Sequence, residues 1–148
     1  MKNKLSYGES TDINLKALVT LTRGTQTVRR KEMHTVKAGG LTASQFGVLE
    51  VLYHKGDLRI NEIIEKMLST GGNMTVVIDN LEKDGFISRY PAPDDRRSTI
   101  VSITNKGTTL FETVFPDHIE NINKIFNVLT TEEKQSLINI MKKLGGVS

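Results

Sequence analysis

Ser69 to Ile87, STGGNMTVVIDNLEKDGFI, is the stretch whose reading decides the fold. Met74, Val77, Ile78 and Leu81 fall at i, i+3, i+4 and i+7, which predicts a helix with one stripe against a core. Gly72, Asn73, Thr75, Val76, Asp79 and Lys83 then share the opposite side. A helix selected only for solubility would carry Glu, Lys and Ala there, residues of high helix propensity. This one opens on Ser, Thr, two glycines and Asn, and no charged side chain occurs from Thr70 to Ile78. Small hydrogen-bonding groups over a positive helix N-terminus suit insertion into a groove lined by phosphates. An ordinary capped surface helix would satisfy the same residues, so the neighbours must decide.

Upstream, Thr42-Ala43-Ser44-Gln45 reads as a capping box for a helix to about His54. Phe46, Val48, Leu49, Val51 and Leu52 make that helix apolar on nearly all sides, hence central, and His54-Lys55-Gly56 closes it. Asp57 to Arg59 is a short extended link. A helix over Ile60 to Leu68 follows, although Arg59 stands where a capping Ser or Thr would be expected. The break Ser69 to Gly72 joins it to the first stretch, and two short amphipathic helices around a tight glycine-containing turn make a helix-turn-helix. Downstream, Asp84-Gly85 stops the second helix. Phe86 to Tyr90 and Ser98 to Ile103 are β-like, and Pro91-Ala92-Pro93-Asp94-Asp95-Arg96-Arg97 between them is a hairpin with two arginines at its tip. A hairpin directly after a helix-turn-helix is the wing of a winged helix. Its Asp and Arg residues could form a salt-bridged turn worth little, but Arg is also the side chain drawn into a narrow minor groove.

Composition bounds the rest. A chain of 148 residues is long enough for its own core. With no Cys there is no disulfide, thiolate nucleophile, Cys-ligated zinc or thiol redox sensor. No stretch approaches the roughly 18 apolar residues of a membrane span, and the N-terminal segment lacks a long apolar run, so a cytoplasmic protein is expected. The net charge of +3 favours nucleic acid only weakly, because acids and bases nearly cancel between Asp57 and Lys106. The DNA argument therefore rests on geometry.

The flanks are helical. Ile13, Ala17, Leu18, Leu21, Thr25 and Val28 predict a long helix from Asp12, its candidate cap, to Lys37, broadened by Leu15, Val19 and Thr22. Thr104-Asn105-Lys106-Gly107 opens another, running to about Leu129, which Pro116 should kink or split. Thr130-Thr131-Glu132-Glu133 caps a last helix ending at Gly145-Gly146. Ile13 and Leu18, then Phe115, Ile119 and Ile122, then Leu137, Ile140, Met141 and Leu144 exceed what one small winged helix can cover, so these helices should dimerise. The expected fold is mainly α with a small β-hairpin wing: an N-terminal dimerisation helix over 1–37, a winged helix-turn-helix DNA-binding domain over 38–104, and C-terminal dimerisation helices over 105–148.

Two segments, LTASQFGVLEVLYHKGDLRINEIIEKM and GGNMTVVIDNLEKDGFISRYPAPDDRRSTIVSITNKG, together covering Leu41 to Gly107, resemble the MarR family of bacterial transcription regulators. The DDRR wing, followed by a strand and then ITNKG, is the most specific part, at a fitting distance from NLEKDGF. The resemblance implies a homodimer on double-stranded DNA, a repressor at a palindromic operator, released by a small ligand. It carries Thr70, Gly72, Asn73, Thr75 and Val76 over as major-groove contacts, Arg97 as the minor-groove probe, Asp95 as its orienting partner and Arg96 as a phosphate contact, with the parity of the two arginines left open. Many members carry Arg after the recognition-helix Thr, where this chain has Val76. Val76 against a thymine methyl, with Asn73 or Thr75 as hydrogen-bonders, would then read bases. Asp79 faces outward and would repel phosphates unless it accepts from a cytosine amine or pairs with a nearby basic group. Family members often bind small aromatic compounds between the dimer helices and the DNA-binding lobe, which makes Arg23, Thr27, Met33, His34, Phe46, Tyr53 and Phe111 the ligand candidates, although most of them also read as core.

Other functions find less support. His34, His54 and His118 are far apart, with no HExxH, phosphate loop or serine elbow, so no catalytic residue and no cofactor is expected, and each His reads as a surface or helix-end residue. A metal-responsive regulator would need a cluster such as His118 with Glu112, Asp117 and Glu120, for which a solvated acidic helix face is the plainer account. A winged helix that binds only protein is disfavoured by the wing arginines and the uncharged helix face.

Overall fold

A computed structural model describes residues 4–67 and 74–146. Thr70, Gly72 and Asn73, three of the candidate groove residues, lie outside these described residues. The elements are α1 (Glu9–Ala38), α2 (Ala43–Lys55), β1 (Leu58–Arg59), α3 (Ile60–Lys66), α4 (Met74–Lys83), β2 (Ile87–Ala92), β3 (Asp95–Ile103), α5 (Asn105–Phe126) and α6 (Thr131–Gly145).

Local chemistry sets the helix ends. The Thr42 hydroxyl accepts from the Gln45 amide at 3.1 Å while the Gln45 carboxamide accepts from the Thr42 amide at 3.1 Å. The same reciprocal pair, Thr130 with Glu133 at 3.1 and 2.8 Å, starts α6. The first helix begins earlier than Asp12. That residue lies within the first turn and reaches back, its carboxylate accepting from the Tyr7 amide at 2.9 Å and from the Ser6 hydroxyl. Pro116 does not split α5, which runs unbroken through it.

Two compact units emerge, one comprising His34–Lys124 and the other Met1–Met33 with Ile125–Ser148. The first holds the core. Val36, Phe46, Val48, Leu49, Leu52, Ile63, Ile78, Leu81, Ile87, Val101 and Phe111 are each at most 4% exposed. The α4 stripe read from the sequence faces it, with Met74, Ile78 and Leu81 buried and Val77 half-buried. His118, expected at the surface, is only 3% exposed and packs 4.6 Å from the Phe46 ring. The spacing i, i+3, i+4 and i+7 along α5 places it on the same face as Phe111, Val114 and Phe115, and that face rather than the acidic one decides its burial.

The link expected at Asp57 to Arg59 is in part a strand. Leu58 and Arg59 pair with Val101 and Ile100, making an antiparallel sheet of order β1-β3-β2. The hairpin also differs from expectation. Its strands extend to Ala92 and Asp95, so Pro93-Asp94 is the turn and the two arginines belong to β3. Pro91 pairs with Thr99 but Ala92 with Asp95, so Arg96, Arg97 and Ser98 are the extra residues of an irregularity in the ladder. Pro91 explains its location: a residue without an amide donor cannot continue the ladder, and bulges form where pairing fails.

In the second unit, no described residue of α6 is buried, and none of α1 up to Met33. Ile13 (67%), Leu18 (59%), Ile140 (55%) and Leu144 (68%) stand in solvent, together with Leu15, Val19, Leu137, Ile138 and Met141.

Candidate nucleic-acid interface

The face of α4 turned from the core is built from the residues that the helical period assigned to it. Thr75, Val76, Asp79 and Lys83 are exposed, Val76 by 47%. Apolar Val76 gains nothing from water, and from the core it faces away. Asp79 does not leave a bare negative charge there, because its carboxylate accepts from Arg89 Nη2 at 2.7 Å. Arg89, on β2, also forks onto Glu82, with Nε at 3.2 Å and Nη2 at 2.9 Å. One guanidinium thus ties two successive turns of α4 to the wing. That contact holds the Glu82 carboxyl below its ordinary range and raises the Arg89 pKa further. Sequence reading missed this clamp. Its signal was the i, i+3 pair Asp79 and Glu82 beside a strand Arg.

The far end of α4 is fixed to α5. Gly85 takes φ +82°, the left-handed conformation that ends α4, and its carbonyl accepts from the Thr104 hydroxyl at 2.7 Å. Lys106 donates to the Asp84 carbonyl at 2.7 Å and lies 4.8 Å over the Phe86 ring. Gly107 is required by close approach, since a Cβ there would stand 2.1 Å from the Phe86 carbonyl oxygen.

On the wing, Asp95 accepts from the backbone amide of Arg97 at 2.9 Å and from the Ser98 hydroxyl at 3.3 Å. It therefore shapes the irregular loop through the main chain and not by gripping the Arg97 guanidinium. Arg96 and Arg97 are both exposed, and neither has an ion-pair partner among the described residues. Asp94 in the turn is held by Arg59, whose Nη2 lies 2.6 and 2.8 Å from its two oxygens. Arg59, Asn61, Ile64, Arg97, Ser98 and Thr99 border one open recess of about 330 Å³.

An exposed α4 face thus shares a unit with a hairpin on which Arg96 and Arg97 have no ion-pair partner among the described residues. The MarR family model matches residues 41–99. The HTH-type transcriptional regulator MhqR of Bacillus subtilis (strain 168) is 36% identical over 135 residues, 91% of this chain and 93% of its own. The chain belongs to the MarR family. This MarR-family protein is a DNA-binding transcriptional regulator and not an enzyme. Its fold matches that of Sco3205, a MarR family transcriptional regulator from Streptomyces coelicolor solved in complex with DNA, with TM-score 0.84 at 20% identity over 97% of this chain and 91% of that one. It also matches Bordetella bronchiseptica BpsR, whose DNA binding is regulated by 6-hydroxynicotinic acid, with TM-score 0.76 at 23% identity over 88% and 98%.

The ligand candidates of this MarR-family chain fall into separate groups. Phe46, Tyr53 and Phe111 come together, the Phe111 ring 5.6 Å from Phe46 and 4.6 Å from Tyr53, and His34 belongs to the same unit. Phe46 and Phe111 are core, at 4% and 0% exposure. Arg23 and Thr27 border an open recess of about 510 Å³ with Val19, Val28, Ile125 and Val128, and Met33 lies in that second unit. Among the described residues no three His, Asp or Glu side chains converge as a metal site would need, and His118 is buried whereas Glu112, Asp117 and Glu120 are exposed. No helix among them is long and apolar enough to cross a membrane.

Proposed function

We propose that the protein is a repressor that binds a palindromic operator as a homodimer. Each chain lays α4 in the major groove and its wing along the neighbouring minor groove. The observation that carries this reading is the pairing of an exposed, uncharged first turn of α4 with two arginines on an irregular β3 that lack carboxylate partners among the described residues. In this reading Thr75 and Val76, with Thr70, Gly72 and Asn73, read bases. Arg97 enters the minor groove, Arg96 meets a phosphate, and Asp95 shapes the loop that offers them. Promoter occupancy by such a dimer would exclude polymerase sterically.

The dimer reading is supported by the unit of Met1–Met33 and Ile125–Ser148, which leaves Ile13, Leu18, Leu137, Ile140, Met141 and Leu144 in solvent. Apolar rows of this extent mark interaction surfaces, and in this reading Phe115, Ile119 and Ile122 of α5 also meet the second copy. Release by a small aromatic ligand is the last part of the proposal. It is supported by the ligand-regulated relative of the same fold and by the polar and apolar lining around Arg23 and Thr27. Such a ligand must bind the DNA-incompetent arrangement more tightly than the competent one.

The test is selection of bound duplexes from a random pool, followed by affinity against salt for wild type and Arg97→Ala. A weaker complex with a salt slope reduced by about one supports the reading, and equal affinity and slope would refute the wing assignment.

A further inference from the structure

Arg59 is an odd residue for its place. It precedes α3, where a Ser, Thr or Asp would accept a helix amide and an Arg side chain cannot. Its own amide is satisfied from the other direction, donating to Glu62 Oε1 at 3.0 Å, and its backbone pairs with Ile100 in the sheet. The main chain at Arg59 is therefore anchored twice. Its side chain, 30% exposed, leaves α3 and meets a carboxylate 35 positions away, on Asp94, which is 71% exposed. One end of this pair is fixed and the other is a hairpin turn.

Within the hairpin that turn is closed by the Ala92–Asp95 pair and by the bonds of Asp95 to the Arg97 amide and the Ser98 hydroxyl, none of which ties it to α3. The ladder register breaks between Pro91 and Ala92, Pro91 offers no amide, and Arg96 to Ser98 loop out of the pairing. Arg59 and Arg97 border the same recess. We propose that Arg59 is a positioning residue for DNA binding: by holding Asp94 it fixes the wing turn against α3 and so sets the pitch at which Arg96 and Arg97 reach the duplex. The inference rests on the wing reading above and adds a residue that does not itself touch DNA. The paired carboxyl stays below its ordinary range, so the contact persists at neutral pH.

The test uses the full chain and a duplex selected from a random pool by the wild type, with affinity measured against salt. The variants are Arg59→Ala, Arg59→Lys, Asp94→Asn, the double variant and Arg97→Ala. Removing a negative charge near DNA should tighten binding by electrostatics alone, so a loss in Asp94→Asn identifies positioning. We expect Arg59→Ala and Asp94→Asn each to bind about three- to tenfold more weakly, the double variant no worse than either, and the salt slope to be unchanged. Arg59→Lys should bind nearly as wild type, because a single nitrogen makes the contact with both oxygens. Asp94→Asn changes only an exposed turn and reads out even if Arg59→Ala does not fold. The inference is overturned if Asp94→Asn binds as tightly as wild type or more tightly, or if Arg59→Ala lowers the slope by about one, the sign of a direct phosphate contact. A silent Arg97→Ala overturns the wing reading itself, whereas a costly Arg97→Ala beside a silent Asp94→Asn overturns this inference alone.

Discussion

Thr75 and Val76 sit where side-chain chemistry, and not packing, decides what the helix does. Both are exposed, so Thr75→Ala and Val76→Ala should leave stability within about 0.5 kcal/mol of wild type. In DNA binding the same changes should be felt. Thr75→Ala is expected to cost about 1 kcal/mol against a selected duplex and relax preference at one position, measured by competition with single-base variants. Equal affinity for all of them would remove Thr75 from the contact set. The Arg89 carboxylate partners give a pH prediction. The folded Glu82 carboxyl titrates below its ordinary value of 4.5, so its contribution is present above that value and lost as pH falls through the lowered one. DNA affinity should therefore show no change from this pair across about pH 6 to 8, as a titration of binding would reveal.

At the scale of elements, α4 is held at both ends of its working face. Arg89 clamps it to β2, and the Gly85, Lys106 and Gly107 contacts clamp its C-terminus to α5. The ion pairs are half-exposed and solvent screening leaves them little weight in stability, so Arg89→Ala should barely move the melting temperature while weakening DNA binding severalfold. Gly107→Ala differs, because its Cβ would meet backbone and force α5 away from Phe86. A loss of at least about 2 kcal/mol is expected by denaturant unfolding. Much of this architecture was legible in the chain: the α4 stripe, both Thr capping boxes and the hairpin follow from period, spacing and turn chemistry. What was not legible depends on distant partners. The two-residue β1 is too short to carry a period and exists only because β3 offers an edge. Arg59 finds Asp94 only after the chain has folded. His118 was misread because it lies on the apolar side of α5, against the Phe46 ring, although Asp117 and Glu120 beside it in sequence are exposed. Asp95 reaches Arg97 by the main chain, which residue types alone do not specify.

At the scale of the molecule, the chain joins a unit with a full core to one whose α6, and whose α1 up to Met33, bury no described residue. Helices in that condition are stabilised by what covers them. Ile140→Asp with Leu144→Asp should therefore yield monomers by sedimentation and lose most DNA affinity, since two half-sites are then bound independently. The central claim is that two copies read two half-sites together, and the direct measurement is the mass of the protein on its selected duplex, combined with a footprint. The account predicts two chains per duplex over a palindrome whose half-sites are about one helical turn apart. One chain on an asymmetric site, bound as tightly as the palindrome, would contradict it.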